Sequence, residues 1–358
     1  MEKVLVAMSG GVDSTVTARL LKEQGFECVG CTMKLYDAEP QTESCGKTCC
    51  SLDDVEDARS AAVRLGMPYY VFNMKDAFQD CVIRPFIQSY VSGETPNPCI
   101  ECNRRLKFEK LFEKADLLHC DKIATGHYAL VSFENGKYCL KKARDPGKDQ
   151  SYVLYMLGQE QLARVLFPMG EYTKTETRKL AEQTGFLNAD KPDSQDICFV
   201  PDGDYAGFIE RQTGKSSEPG EFVSPDGRVL GRHRGIIHYT VGQRRGLGVS
   251  AATPLYVSRI EPDTNRIVLC PEKELYVDTV TADHVNIVSG EAFDTPRRVT
   301  VKLRYRQPEQ PATAWLEGEQ LQIRLEKPQR APAPGQAAVL YDGDYVLGGG
   351  TIRSSGIS

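Results

Sequence analysis

A short apolar run that ends at two glycines constrains this chain more than any other feature. Val4 to Met8 are predicted to form a buried strand, and Gly10 and Gly11 a turn. Thr15 to Gln24 are then predicted to form a helix. Strand, glycine turn and helix N-terminus together direct backbone N–H groups at an anion. No Gly-Lys-Ser/Thr follows, which excludes the Walker loop. The stretch therefore predicts a phosphate-binding strand–turn–helix unit.

The six residues from Ser9 to Ser14 narrow the identity of that anion. Ser9 and Ser14 add hydroxyl donors, and Asp13 is a candidate to orient a metal ion or a donor. The string SGGVDS resembles that of the PP-loop ATP pyrophosphatases, whereas an ordinary strand-to-helix turn would not need all six residues. The resemblance implies that the chain cleaves ATP, with Mg²⁺, between the α and β phosphates. It also implies ATP contacts from Ala7, Met8, Ser9, Gly10, Gly11, Val12, Asp13 and Ser14.

Length, charge and cysteine content limit the class of protein. A chain of 358 residues is expected to form two or three domains. No apolar run is long enough for a bilayer, and a core strand at the N-terminus leaves no room for a signal peptide. Twelve cysteines in such a chain are typical of a reducing, cytoplasmic location. A net charge of −5 means that local basic patches, such as Arg232 to Arg234 and Arg244-Arg245, would have to hold any nucleic acid.

Strand and helix patterns alternate from residue 4 to about residue 128, which predicts an α/β domain with a parallel sheet and the ligand at the carboxyl ends of its strands. Glycine, proline and short strand patterns take over after Gly214. We therefore predict a PP-loop domain (adenine nucleotide alpha hydrolase-like) over residues 1–204, a central β-rich domain over 205–282 and a C-terminal β-barrel over 283–358.

Three cysteines are candidates for chemistry. Cys99 and Cys102 follow two prolines that are predicted to prevent a helix, so Cys102 should lie near the N-terminus of the next one, predicted from about Arg105. A helix N-terminus stabilises a thiolate and suits a nucleophile. Cys198 follows a polar loop and has no neighbouring cysteine. Cys99 and Cys102 could also be buried thiols, iron–sulfur ligands or half of a zinc site completed by Cys45, Cys49 and Cys50, and the CxxC spacing alone slightly favours zinc.

The number and order of several further motifs make the sequence resemble the tRNA-specific 2-thiouridylases over essentially the whole chain. The matching pieces are residues 7–14, 95–98, 102–103, 124–128, 148–152, 194–199, 238–244 and 302–305. The family modifies the wobble uridine of tRNA by adenylating the carbon-2 oxygen. The resemblance implies that a persulfide donor (a cysteine desulfurase or a sulfur-relay protein) loads Cys198. Cys102 would then release the sulfur, as sulfide or by forming a disulfide with Cys198.

The resemblance also implies binding roles for other positions. Met33 and Gly126 match ATP contacts. The positions that match tRNA contacts are Asn97, Cys99, His127, Lys148, Asp149, Gln150, Arg304, Tyr305 and Gln336. Some family members carry aspartate where Cys99 stands, so we assign no general base, and we predict no resident metal site. Two alternatives stay open: another PP-loop adenylating synthetase of the amidotransferase type, or a non-catalytic, zinc-bound RNA-binding module.

Overall fold

The structure is a computed structural model that describes residues 1–36, 52–183, 197–291 and 293–357. Its N-terminal part is built on a five-stranded parallel sheet with strand order β3-β2-β1-β4-β7. These strands are β1 Lys3–Ala7, β2 Glu27–Lys34, β3 Tyr69–Asn73, β4 Lys122–Ala124 and β7 Val165–Leu166. The parallel α/β sheet predicted from the sequence is confirmed.

Helices cover both faces of this sheet because alternate side chains of β1 point to opposite sides. Val4 and Val6 pack against helices on one face, whereas Leu5 packs against helices on the other. All three side chains are fully buried, as expected for the central strand of a parallel sheet. The helices are α1 Val12–Glu23, α2 Leu52–Arg64, α3 Lys75–Phe78, α4 Arg84–Val91, α5 Pro98–Glu101, α6 Leu111–Leu117, α7 Gln159–Arg164, α8 Lys174–Gln183 and α9 Tyr205–Thr213.

The helix that leads from Cys99 to Cys102 begins earlier in the chain than predicted. Pro98 occupies its first turn, where a missing N–H costs nothing, and Asn97 caps it by accepting a 3.2 Å hydrogen bond from the Cys99 N–H. A π-helical segment, Cys102–Lys110, joins α5 to α6. Pro98 therefore starts the helix instead of preventing it. Cys99 lies at its beginning, and Cys102 lies a turn inside.

One further boundary was predicted wrongly. The first helix begins at Val12 and not at Thr15, so Asp13 and Ser14 lie in its first turn. Farther along the chain, Ser151–Leu154 form a short 3₁₀ turn. A second π-helical segment, Gln79–Ile83, joins α3 to α4.

The central part is β-rich, as predicted. Its four-stranded sheet has the order β10-β11-β8-β9. The strands are β8 Gly220–Val223, β9 Val229–His233, β10 Leu255–Glu261 and β11 Arg266–Pro271. Phe222, Tyr239 and Leu269 contribute to its core, which Ala331 and Ala333 of the C-terminal part also join. The central sheet is therefore packed against residues 331–333 of the C-terminal part.

The C-terminal part is a closed six-stranded barrel, which confirms the predicted fold class. Its order is β12-β15-β14-β13-β16-β17, and β12 pairs with β17 to close it. The strands are β12 Tyr276–Ile287, β13 Arg297–Lys302, β14 Gln310–Glu317, β15 Gln320–Arg330, β16 Ala337–Asp342 and β17 Tyr345–Gly356. Closure leaves no edge along the barrel wall. The predicted division between residues 282 and 283 falls within β12.

A hairpin that the sequence reasoning missed joins the first and last parts of the chain. It consists of β5 Leu130–Glu134 and β6 Lys137–Lys141, and Lys141 pairs with Tyr345 of β17. Nearby, the hydroxyl of the fully buried Tyr152 donates a 2.8 Å hydrogen bond to the Ala337 carbonyl. The α/β part and the barrel therefore share a core. In the parts of the chain that the structure describes, no helix is long and apolar enough to cross a membrane.

Candidate functional site

The glycine turn at the end of β1 is a tight loop that only glycine can form at its first position. Gly10 has φ +75°, and a Cβ there would lie 2.3 Å from the carbonyl oxygen of Asp54 in α2. The Ser9 N–H donates to Ser14 Oγ over 3.1 Å, and that hydroxyl donates to the Gly11 carbonyl over 3.0 Å. Gly11 is the N-cap residue of α1 and brings no capping side chain. This arrangement suits an anion at the helix N-terminus.

Asp13 is held by a lysine that the sequence reasoning missed. Lys174 Nζ donates to Asp13 Oδ1 and Oδ2 over 2.7 and 2.9 Å, and the Tyr128 hydroxyl donates to Oδ1 over 2.8 Å. The Tyr128 hydroxyl also lies 3.1 Å from Thr177 Oγ1. The carboxylate predicted to orient a metal or a donor is thus already charge-compensated by the protein.

One local signal could have pointed to Lys174. Thr173 and Glu176 form a capping box, in which the Thr173 N–H donates to the Glu176 carboxylate over 2.7 Å and Thr173 Oγ1 accepts from the Glu176 N–H over 3.3 Å. The threonine and glutamate predict the start of a helix. A lysine directly after the cap is electrostatically unfavourable at a helix N-terminus, so it needs an anionic partner elsewhere.

Gly126 lies directly against the end of the glycine loop, at Asp13 and Ser14. A Cβ on Gly126 would approach the Ser14 nitrogen to 3.0 Å and the Asp13 carbonyl carbon to 3.1 Å. Met33 lies near the carboxyl end of β2, two residues beyond Cys31, which pairs with Ala7. The structure therefore places Met33, Gly126 and the loop at one edge of the sheet, where parallel α/β sheets bind ligands. Glycine at positions 10 and 126 therefore permits close packing of the loop on α2 and of residue 126 on the first turn of α1.

His127 is buried between this edge and the cysteine-bearing helix. It is only 7% exposed, and burial, aided by the neighbouring Lys107 ammonium, holds its pKa well below the usual value. Lys107 Nζ lies 3.5 Å from Nε2, and because an ammonium can only donate, Nε2 is the acceptor. Nδ1 then carries the proton and donates to Thr125 Oγ1, 2.6 Å away. Both ring nitrogens of His127, which was predicted to contact tRNA, are therefore hydrogen-bonded within the protein in this conformation.

The two predicted catalytic cysteines lie at one apolar cluster. Cys102 and Cys198 both pack, partly buried, against a core that includes Phe78, Phe86 and Phe199. The Tyr36 hydroxyl donates a 2.6 Å hydrogen bond to the Cys198 carbonyl. The helix that carries Cys102 and the segment that follows residue 196 are thereby brought together.

Cys99 differs from these two cysteines because it is exposed. Cys45, Cys49 and Cys50, and the motif residues Ser194 to Asp196, lie outside the described residues. Among the residues that the structure does describe, no group of three His, Cys, Asp or Glu side chains could hold a metal ion. The zinc arrangement considered for Cys99 and Cys102 therefore has no third ligand within the described part of the chain.

Several of the predicted tRNA contacts lie where the α/β part meets the barrel. The Asp149 carboxylate is buried and accepts hydrogen bonds from the Ala143 and Ser151 N–H groups over 3.1 and 3.2 Å. Gln150 is bonded to the Tyr128 backbone through both its main chain and its side chain, over 2.8 and 3.0 Å. The Tyr305 hydroxyl donates to the Asp149 carbonyl over 3.2 Å. Asp149 and Gln150 therefore hold the loop after β6 within the α/β part, and Tyr305 joins that loop to the barrel.

The remaining residues predicted to contact tRNA differ in their burial and in their hydrogen bonds to the protein. Arg304 Nη2 donates to the Val241 and Ala331 carbonyls over 3.2 and 3.0 Å, and burial lowers its pKa from the usual value. Gln336 Nε2 donates to the Thr95 carbonyl over 2.7 Å. Lys148 and Asn97 are half-buried. Arg304 and Gln336 therefore already have protein partners.

Fold and site together define a PP-loop type of protein: a parallel α/β sheet with a glycine loop at a helix N-terminus, followed by two β-domains. Family models match the three parts in turn, namely the tRNA methyl transferase HUP domain (residues 2–202), the tRNA methyl transferase PRC-barrel domain (206–271) and the aminomethyltransferase beta-barrel domain (277–352).

Full-length relatives define the family more closely. The tRNA-specific 2-thiouridylases MnmA of Acetivibrio thermocellus, Lachnoclostridium phytofermentans and Halothermothrix orenii are 49, 48 and 46% identical to this chain. The alignments cover 98, 98 and 99% of this chain and 99, 99 and 100% of the relatives. The chain belongs to the tRNA-specific 2-thiouridylase family, and the resemblance seen in its motifs is confirmed.

Solved structures give a weaker likeness. The NMN synthetase of Francisella tularensis aligns over 61% of this chain and 79% of its own, with 17% identity and a TM-score of 0.34. A similarity of this size supports no conclusion about the activity.

Proposed function

We propose that this protein uses ATP to replace the carbon-2 oxygen of the wobble uridine of tRNA with sulfur. One observation carries the proposal: the sheet edge with the glycine loop, where we propose that ATP binds, is adjacent to Cys102 and Cys198. Met33, at the nucleotide edge, also packs against the apolar cluster that holds Cys102 and Cys198. A base activated at the glycine loop would therefore lie close to a nucleophilic sulfur.

The first chemical step is activation of a poor leaving group. The uracil carbon-2 oxygen attacks the α phosphorus of ATP, pyrophosphate leaves, and the oxygen becomes part of an adenylate. Gly10 lets the loop pack closely on α2, and the N-terminus of α1 at Gly11, which carries no capping side chain, suits an ATP phosphate. Mg²⁺ would neutralise charge on the phosphates when bound, and the oxygen ligands it prefers are available from the loop serines and from ATP itself.

The second step exchanges oxygen for sulfur. We propose that a protein donor leaves a persulfide on Cys198. The terminal sulfur attacks carbon 2, and AMP leaves with the original oxygen. The Cys102 thiolate then attacks the Cys198 sulfur, which frees 2-thiouridine and forms a Cys102–Cys198 disulfide. A thiol reductant restores both cysteines for the next turnover, so atoms and electrons balance.

Sulfide can test this function without the unknown donor. Purified protein is incubated with ATP, Mg²⁺, sulfide and unmodified tRNA, and thiolated tRNA is detected by its retardation on a mercury-containing gel. The proposal predicts a retarded band that requires ATP. Absence of that band with several tRNAs would sink the proposal. Amination of a substrate in place of thiolation would favour an amidotransferase-type synthetase.

Cysteine variants test the assigned roles. Cys198→Ser should lose transfer from a persulfide donor, whereas Cys99→Ser should be milder than Cys102→Ser because Cys99 is exposed and outside the shared cluster. Cys270→Ser, a change at a buried cysteine of the central domain, serves as the control. Full-rate transfer by Cys198→Ser would show that the persulfide carrier was chosen wrongly.

A further inference from the structure

The barrel holds the segment that leads into the cysteine-bearing helix. Thr95 lies between α4 and α5, and both of its backbone polar groups are bonded to the barrel. Its N–H donates to the Pro334 carbonyl over 2.8 Å, and its carbonyl accepts from Gln336 Nε2 over 2.7 Å. These bonds link positions about 240 residues apart in sequence, and they fix the segment on both sides.

Close backbone contact strengthens this attachment. Gly335 has φ +87°, and a Cβ there would lie 3.0 Å from the Thr95 nitrogen and 3.1 Å from Glu94 Cβ. The Gly335 N–H donates to the Ile352 carbonyl over 2.9 Å, and the Ile352 N–H donates to the Gln336 carbonyl over 2.8 Å. Residues 335 and 336 are therefore anchored to β17, so that they form a rigid support.

An ion pair adds a second attachment beside the first. Arg353, the residue after Ile352 on β17, places Nη1 2.5 Å from Glu94 Oε1 and Nε 2.5 Å from Asp283 Oδ2. The guanidinium bridges the segment and β12. Such a two-carboxylate arrangement fixes geometry better than a single exposed pair.

What the barrel fixes here is the start of the helix that carries two candidate cysteines. Two residues after Thr95, Asn97 caps that helix through the Cys99 N–H. Cys99 and Cys102 follow within the next turn. Displacement of residues 94–97 would therefore move both thiols.

We propose that Gln336 and Arg353 are positioning residues through which the barrel sets the placement of Cys99 and Cys102. The catalytic consequence rests on the function proposed above. The role is distinct from the direct tRNA contact that the resemblance implied for Gln336, since it rests on the amide N–H that donates to the Thr95 carbonyl. Contact of tRNA with the barrel would then be transmitted to the thiols through residues 94–97.

Gln336→Met tests this directly, because it keeps the side-chain length and removes the amide donor. Alkylation rates of Cys99 and Cys102, followed by mass spectrometry in tRNA-free protein, should change about threefold or more, while the partly buried Cys139 in β6, outside the cluster shared by Cys102 and Cys198, serves as the internal reference. In the thiolation assay, kcat should fall about fivefold with KM for tRNA nearly unchanged.

A series at Arg353 provides the second arm. Arg353→Ala should reproduce these effects, and Arg353→Lys should restore part of the rate because it keeps the charge facing Glu94. Arg298→Ala, at an 89% exposed barrel arginine, is the control. A raised KM for tRNA with unchanged kcat and alkylation would overturn the proposal and make Gln336 an RNA contact. If wild-type protein gives no thiolation, the proposed function fails, and the alkylation rates still decide whether the barrel positions the cysteines.

Discussion

Replacement of Lys174 by methionine tests the charge pair beside the glycine loop. The change removes an ammonium that donates two hydrogen bonds to Asp13 and leaves the carboxylate with the Tyr128 hydroxyl. The side chains of Lys174 and Asp13 are 11 and 29% exposed, so the pair lies between two measured regimes. Exposed pairs contribute up to about 1 kcal/mol, and breaking a buried pair costs about 3–5 kcal/mol. We therefore expect the free energy of unfolding to fall by about 2 kcal/mol.

A double-mutant cycle with Asp13→Asn isolates the pair from other effects of the substitutions. Urea unfolding of the wild type, the two single variants and the double variant should give a coupling energy of about 1–2 kcal/mol. A coupling below about 0.3 kcal/mol would refute the reasoning, since residues in direct ionic contact couple more strongly than that.

The same proteins connect the pair to the proposed function. Asp13 lies in the first turn of α1, so loss of Lys174 should disturb the loop and weaken ATP binding about tenfold, or about 1.4 kcal/mol. Lys22→Met, at the exposed far end of α1, removes the same charge away from the loop and should leave ATP affinity unchanged. Equal losses in the two variants would mean that only net charge matters.

Three further predictions follow from the described geometry. Gly10→Ala places a Cβ against the Asp54 carbonyl at φ +75° and should abolish ATP binding measured by calorimetry, whereas Gly25→Ala, with an open environment and a similar φ of +88°, should cost only about 1–2 kcal/mol of stability. The pKa of His127 is lowered in the folded protein, so as the pH falls the unfolded chain binds the proton first. The free energy of unfolding should therefore fall by up to about 1.4 kcal/mol per pH unit below pH 6.5. Urea titrations of His127→Gln should lack that slope, and an unchanged slope would contradict the prediction. Burial raises the pKa of Cys28 from 9.0 to about 11, so at pH 8 its alkylation should be at least about a hundredfold slower than that of an unperturbed thiol, with denatured protein as the comparison.

Local sequence was sufficient for the parts of this molecule that depend on neighbouring residues. The buried strand, the glycine turn and the helix after it were predictable because Gly10 and the apolar run act locally. The barrel was predictable because alternating side chains mark its strands. The helix start at Pro98 was missed because proline was taken as a helix breaker, although it is well suited to the first turn.

Contacts between residues that are far apart in the sequence could not be predicted from local sequence patterns. Lys174 lies 161 residues from Asp13, and nothing in either segment alone specifies the partner. The hairpin β5–β6 extends a sheet formed mostly by strands at the other end of the chain. The attachment of Thr95 to Gln336 likewise depends on how the barrel packs against the α/β part. The motif resemblance gave Asp13 and Gln336 binding roles, and the structure adds a protein partner for each, Lys174 and Thr95.

The fate of one oxygen atom tests the central proposal most directly. A tRNA labelled with oxygen-18 at carbon 2 of the wobble uridine is thiolated with unlabelled ATP, and the AMP and pyrophosphate released are analysed by mass spectrometry. Adenylation at the α phosphorus predicts one oxygen-18 in AMP for each thiouridine formed, and none in pyrophosphate. Label in pyrophosphate, or in water with unlabelled AMP, would contradict activation of the carbonyl oxygen by this glycine loop.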